Sequence, residues 1–248
     1  MDKLVYTAAS GLRARMAAQT AIANNMANAS TTGFRADRVV FDRIALKGDG
    51  TTLEARSPSS EEVIDADRTA GAIMQTGRPL DVAVTGNDAW LTVQAPDGSE
   101  AYTRRGDLQV APSGVLQTGD GFIAMGQSGP ITLPPYQSLW IAGDGSISIV
   151  PTGGGEPQIV DRLKLASAKG SDTVKGLDNL IRVRGGGALP DDLDATLTAG
   201  ALEGSNVNMT RMLVDMIENQ RSYEVTASLM KSAKDMDESG ASIMRLPS

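Results

Sequence analysis

The stretch Met209-Thr210-Arg211-Met212-Leu213-Val214-Asp215-Met216-Ile217-Glu218-Asn219-Gln220-Arg221-Ser222-Tyr223-Glu224 carries favourable seam positions at Met209, Met212, Met216, Asn219 and Tyr223, and the spacing continues through Thr226, Met230 and Ala233. A strict 3-4-3-4 interval keeps one seam of a helix turned toward a partner helix. At the other end of the chain Val5, Ala8, Leu12, Arg15, Gln19, Ile22 and Met26 repeat the interval, with two polar interruptions. About 180 residues separate the two seams, and the natural partner of each is the other. A helix over 206–245 would run roughly 60 Å, and one over 4–28 roughly 37 Å, at about 1.5 Å per residue. Such a stripe most often lines an internal hairpin. Here the seam is thin, because Ala8, Thr226 and Ala233 bury little area and Met fills gaps without fixing one geometry. Two long terminal helices joined by so thin a seam ask for neighbours.

Composition removes several function classes. With no cysteine there is neither a disulfide nor a thiolate metal site, and with no histidine the commonest general base and metal ligand is absent. Net charge is −7, unevenly spread: residues 1–35 carry +3, the stretch from Ser205 carries −1, and the middle holds −9. An acidic body argues against nucleic acid as a partner. The acid-poor N-terminus resembles a targeting segment in composition, but it lacks an apolar core ending in a small-residue cleavage site. The uncharged run Met16 to Phe34 contains Gln19, Asn24, Asn25 and Asn28 and is no membrane span. The expectation is that if the chain leaves the cytoplasm, it does so uncleaved.

The first helix should end near Asn28, where Ala29-Ser30-Thr31-Thr32-Gly33 supplies cap and turn residues and a glycine for a left-handed position. From Arg35 to about Gln75 the sequence is polar and without sustained period, as in Gly48-Asp49-Gly50-Thr51-Thr52 and Ser57-Pro58-Ser59-Ser60, and reads as an extended connector. From Pro79 short alternating runs follow one another: Leu80 to Val84, Ala89 to Gln94, Ala101 to Arg104, Gly114 to Thr118, Gly121 to Met125, Ile131 to Leu133, Leu139 to Ala142, Ser146 to Val150, Gln158 to Ala166 and Leu180 to Val183. Turn signals such as Pro96-Asp97-Gly98, Gly119-Asp120-Gly121 and Asp144-Gly145 separate them. This predicts an all-β domain with a mostly aliphatic core, anchored by Trp90, Trp140 and Tyr102. The fold class expected is α+β, divided into an N-terminal helical segment 1–35, a connector 36–75, a β-domain 76–200 and a C-terminal helical segment 201–248.

Ser10-Gly11-Leu12, Ile22-Ala23-Asn24-Asn25-Met26-Ala27-Asn28 and Thr31-Thr32-Gly33-Phe34-Arg35 closely resemble the N-terminal signature of bacterial flagellar rod, hook and hook-associated proteins. Ser205-Asn206-Val207, Met216-Ile217, Gln220-Arg221, Tyr223-Glu224 and Asp235-Met236 resemble their C-terminal signature. Gly77-Arg78-Pro79-Leu80-Asp81-Val82-Ala83-Val84 is similar to the shared rod and hook pattern. Trp90-Leu91-Thr92-Val93-Gln94 with Glu100-Ala101-Tyr102-Thr103-Arg104 is most similar to proximal-rod members, whereas distal-rod members would have paired phenylalanines at Ala89-Trp90-Leu91. Departures are Met26 for the usual Leu, Ala29-Ser30 for Val-Asn, and Val225-Thr226 after Tyr223-Glu224, all conservative in helix character. The resemblance covers nearly the whole chain, least at 36–75 and 151–200.

The resemblance implies terminal helices joined in a coiled-coil-like D0 layer that stacks with neighbouring subunits into a hollow tube. Partners implied are copies of the chain, other proximal- and distal-rod proteins and the flagellar type III export apparatus, within a basal-body rod spanning the periplasm. Seam and signature together name Leu12, Ile22, Asn24, Asn25, Met26, Asn28, Thr32, Gly33, Phe34, Met216, Ile217, Gln220, Arg221, Tyr223, Glu224 and Met230 as subunit-packing residues. Each also has a local reading. Asn24, Asn25 and Asn28 suit capping by chemistry alone, although three amides within five helical residues cost propensity and ask for a compensating role. Gly33 suits a backbone need, Phe34 a core anchor, and Arg221 with Glu224 a solvated i, i+3 pair.

Catalysis finds little support. Glu61-Glu62 lies in the connector, Asp191-Asp192-Asp194 lacks the spacing of a calcium loop, and neither Gly153 to Gly155 nor Gly185 to Gly187 opens a phosphate-binding helix. No cofactor or small-molecule substrate is expected. The runner-up readings are a distal-rod subunit and a secreted β-domain adhesin; the adhesin leaves both seams unexplained.

Overall fold

The computed structural model describes residues 2–41 and 62–244. The fold is α+β: one helix at each end, α1 (Asp2–Ala27) and α2 (Met209–Met244), with the strands between them. In chain order the strands are β1 (Asp37–Phe41), β2 (Glu62–Ala66), β3 (Ile73–Gln75), β4 (Val82–Val84), β5 (Ala89–Gln94), β6 (Glu100–Thr103), β7 (Leu108–Val110), β8 (Leu116–Thr118) and β9 (Ile123–Ala124). They continue with β10 (Tyr136–Ile141), β11 (Ser146–Pro151), β12 (Gln158–Arg162), β13 (Leu165–Ser167), β14 (Thr173–Lys175), β15 (Ile181–Val183), β16 (Leu197–Ala199) and β17 (Ala201–Glu203). The chain divides into two compact units. One holds α1, β1 and α2, and the other holds residues 28–36 and 65–207.

In the helical unit α2 begins at a built cap. The Asn208 side-chain carbonyl accepts from Arg211 N at 3.0 Å, while its backbone carbonyl accepts from Met212 N at 3.0 Å. An asparagine before a helix satisfies donors that have no intrahelical partner. The two helices run antiparallel. A Cβ on Gly11 would lie 3.9 Å from Thr226 Cγ2, and one turn and more further along α1 Asn219 donates to Arg15 O at 3.0 Å and to Gln19 Oε1 at 2.8 Å.

In the β unit the largest sheet has the order β14-β15-β6-β5-β9-β8-β7, with β13 on the other edge of part of β5, and a separate three-stranded sheet runs β10-β11-β12. Short pairs join β16 to β4 and β17 to β3. The core between them is aliphatic. Val82, Leu91, Leu108, Leu116, Ile131, Ile147, Ile149 and Leu163 are all buried in one cluster. Asp97-Gly98-Ser99 and Asp144-Gly145-Ser146 make the same turn, each aspartate accepting from the serine backbone N–H and hydroxyl two residues on.

Trp90 and Tyr102 are buried as expected, but Trp140 is 39% exposed. On β10 Leu139 and Ile141 face the core, so the period of two turns Trp140 outward. The stretch read as one strand from Gln158 to Ala166 is two, β12 and β13, which join different sheets. Within the segment read as a connector, β1, β2 and β3 form among the described residues; its Gly48-to-Thr52 and Ser57-to-Ser60 runs lie outside them. β3 and β17, at 73–75 and 201–203, pair with each other beyond both ends of 76–200.

Candidate functional site

On α2 the covered line follows the seam read in the sequence at Met212, Met216, Asn219, Thr226, Met230 and Ala233, whereas on α1 it lies one residue away. On α1 the less exposed positions are Gly11, Ala14, Ala18, Ala21 and Asn25, again at 3-4-3-4 spacing, while Arg15 and Gln19 are exposed. Small side chains let a neighbouring backbone approach closely, and the long polar side chains one position on reach water. Leu12, Ile22 and Met26 are half-buried beside this line. On α2 the covered line is Met212, Met216, Asn219, Ser222, Thr226, Met230 and Ala233, with Ser222 taking the place expected of Tyr223.

The remaining signature residues of α2 point elsewhere. Ile217, Gln220, Arg221, Tyr223 and Glu224 are exposed. Glu224 accepts from Gln220 Nε2 one turn earlier at 3.5 Å. Large apolar side chains share that exposure in two lines at helical spacing: Met209, Leu213 and Ile217, then Val225, Leu229 and Met236. Ile217 is 67% and Leu229 59% exposed.

The amides of α1 have local partners. Asn25, 3% exposed, pairs with the Asp37 backbone as a strand would, donating from Nδ2 to Asp37 O at 3.0 Å and accepting from Asp37 N at 2.7 Å. Asn24 Nδ2 donates to the Asp37 carboxylate. Two of the three amides thereby fix the start of β1. Asn28, in the β unit, closes its turn by accepting from Thr31 N at 3.1 Å and, through Oδ1, from Thr31 Oγ1 at 3.1 Å.

Beyond that turn the chain enters a buried charged cluster that sequence reasoning missed. Gly33 adopts φ +67°, and a Cβ there would sit 2.4 Å from the Arg104 carbonyl carbon; its N–H donates to Glu203 O at 2.7 Å. Phe34 is buried with Lys175 Nζ 3.7 Å from its ring centroid. Arg35 lies 2.8 Å from Glu203 Oε1, and Arg104 lies 3.1 Å from Glu203 Oε2, all three side chains at most 2% exposed. Glu203 Oε1 also accepts from Gly71 N at 2.8 Å, and Arg104 donates to Val84 O at 2.9 Å and to Gly86 O. Both guanidinium carbons stand over the Trp90 ring, at 5.6 and 5.2 Å.

Two guanidinium groups share one carboxylate here. Burial lowers both arginine pKa values against the opposing pull of Glu203, that of Arg104 to about 10. Lys175 Nζ, donating to Arg35 O at 2.7 Å, adds a third buried cation. The only sequence signal was Arg104 at the end of an apolar strand run, since an isolated Glu before Gly204 looks like any solvated acid.

The 28–34 turn, with Thr103 and Arg105, lines a polar cleft of about 270 Å³. Arg105 is already engaged there by Asp107 at 2.7 Å and Asp120 at 2.7 Å, which raise its pKa, the hydrogen bond it donates to Asp107 first. Among the described residues no group of three acidic side chains could hold a metal ion, and no helix is long and apolar enough to cross a membrane.

Three family models match this chain in order. Residues 5–35 match the flagella basal body rod protein model, residues 83–149 the D1 domain of flagellar hook protein FlgE/F/G, and residues 198–243 the C-terminal part of flagellar basal body rod FlgEFG proteins. The chain is 38% identical over 243 residues to the flagellar basal-body rod protein FlgF of Salmonella typhimurium, covering 95% of each chain, and 38% identical to FlgF of Escherichia coli over the same share. It is 31% identical over 253 residues to the rod protein FlgG of Buchnera aphidicola subsp. Acyrthosiphon pisum, covering 94% of this chain and 96% of that one. Matched in sequence from the α1 signature to the end of α2, the chain belongs to the flagellar basal-body rod protein family.

Proposed function

We propose that this chain is a non-catalytic structural subunit of the proximal rod. Its terminal helices pair in a coiled-coil-like layer and polymerise with copies of the chain and with other proximal- and distal-rod proteins into the hollow drive shaft. The observation that carries this reading is the set of large apolar side chains exposed along α2: Met209, Leu213, Ile217, Val225, Leu229 and Met236. Apolar area removed from water contributes roughly 25 cal/mol per Å², so repeated burial of these side chains between subunits would drive a non-closing, head-to-tail assembly. The assignment to the proximal rod follows the higher identity to the FlgF proteins of Salmonella typhimurium and Escherichia coli than to Buchnera FlgG. We further infer delivery by the flagellar type III apparatus without cleavage and residence in the periplasm-spanning rod.

The test is Ile217→Asp and Leu229→Asp in a motile strain of the native host, scored by swimming in soft agar and by recovery of the chain in isolated basal bodies. Both positions are exposed, so purified variants should unfold within about 0.5 kcal/mol of the parent, while swimming and incorporation are lost. Normal swimming by both variants would contradict the proposal.

A further inference from the structure

We propose that Asn219 selects the register in which α2 lies against α1, and that Gln19 is the acceptor it selects; this rests on the helix pairing proposed above. Asn219 sits in the middle of α2 on its covered line and is only 6% exposed. Its Nδ2 donates to Arg15 O at 3.0 Å and Gln19 Oε1 at 2.8 Å, while Oδ1 is buried and has no hydrogen-bond partner among the described residues. Asparagine is a poor helix former, and an unpartnered buried carbonyl is costly. An apolar residue at 219 would be the stabilising choice, so the amide calls for another role.

The rest of the seam cannot supply a register. The covered line of α1, Gly11, Ala14, Ala18 and Ala21, and that of α2, Met212, Met216, Ser222, Thr226, Met230 and Ala233, are otherwise small or pliable side chains. A slide of one turn sets small residue against small residue again, and methionine adapts to either arrangement. For Asn219 the two directions differ sharply from the native position. Moved one turn toward the α1 C-terminus, it would meet Gln19 O and the Ala23 methyl, which accepts nothing. Moved toward the N-terminus, it would meet Gly11 O and the Arg15 guanidinium, which offers Nδ2 no acceptor and could serve Oδ1 only by giving up the hydration of a full charge. At the native position Nδ2 has both a backbone carbonyl, Arg15 O, and a side-chain acceptor, Gln19 Oε1. A single buried asparagine is the best-attested device for fixing the register of paired helices at some loss of stability.

The chain has no cysteine, so introduced pairs report register directly. Gly11→Cys with Thr226→Cys reads the native alignment, and Gly11→Cys with Ser222→Cys or Met230→Cys reads slides of one turn in either direction. Each pair is oxidised in the full-length chain, purified and in isolated basal bodies, and the linked peptides are quantified by mass spectrometry. The parent should close the native pair at least tenfold more than either shifted pair. In Asn219→Leu, and separately in the solvent-facing Gln19→Leu, that preference should fall to threefold or less while helical content by circular dichroism is retained. If both variants keep the tenfold preference, the register is set elsewhere and the proposal is overturned. If the native pair fails to close in the parent, the helix pairing itself is absent, a separate failure that removes the proposal with it.

Discussion

Glu203 Oε1 stands 2.8 Å from the Arg35 guanidinium with both side chains withdrawn from solvent, joining positions 168 residues apart in the sequence. The same carboxylate holds Arg104 at 3.1 Å and the Gly71 amide at 2.8 Å. Three segments of the β unit therefore converge on one acid, and the turn that follows α1 is part of that unit because Glu203 and its backbone carbonyl hold it there. Removing one partner of a buried ion pair leaves an uncompensated charge, at a cost of about 3–5 kcal/mol. Glu203→Ala strands two guanidinium groups and should cost the full-length chain about that much by denaturant unfolding. Glu203→Gln, which keeps an acceptor, should lose less. A change below about 1 kcal/mol in Glu203→Ala would contradict the role given to the cluster.

Gly33 and Gly77 separate two reasons for a glycine. Both have positive φ, +67° and +73°, but a Cβ on Gly33 would meet Arg104 backbone at 2.4 Å whereas one on Gly77 would meet nothing within 4 Å. Gly77→Ala should cost about 1 kcal/mol for conformation alone. Gly33→Ala should cost at least twice as much, because backbone on both sides has to shift. Equal losses in chemical denaturation would show that the close approach at Gly33 is not a constraint.

Three aspartates contribute to the acid response of the β unit. Arg182 hydrogen bonding holds Asp178 below the usual carboxylate pKa, the Ser99 hydroxyl does so for Asp97, and the Ser146 backbone N–H for Asp144. With folded values depressed below the unfolded 3.8, the folded state binds fewer protons there, so its stability is present above that pH and is lost as pH falls through the folded values. Stability should be flat from about pH 5 to pH 8. Asp178→Asn should lower stability at pH 7 and leave a shallower acid slope. An unchanged slope would contradict the assignment of Asp178.

Sequence periodicity made the helices and the longer strands legible because their signals are local. α2 is helical through Met244, the last residue described, and β5 coincides with Ala89 to Gln94. Of the strands missed in the sequence, β7, β14, β16 and β17 have three residues each, too few to show a period. β17 is recognised only through its pairing with β3, over a hundred residues earlier. The seam of α1 was read one residue away from its place because Leu12, Ile22 and Met26 outweigh Gly11, Ala14 and Ala18 on any hydrophobicity count, whereas close helix contact favours the small residues. Asn24 and Asn25 were identified as residues needing partners, but their partner Asp37 lay in a stretch with no pattern to single it out. Glu203 gave no local signal at all, since its meaning lies in two arginines far from it in sequence.

The central claim is that α2 turns its exposed apolar side chains toward neighbouring subunits, and a density map of isolated basal bodies tests it most directly. With the chain located in the map, Leu213, Ile217, Leu229 and Met236 should be enclosed by helices of adjacent rod subunits, with Arg221 and Glu224 at the rim of the same contacts. A rod in which these side chains face open solvent or a lumen, with the subunits joined only through their β-domains, would contradict it.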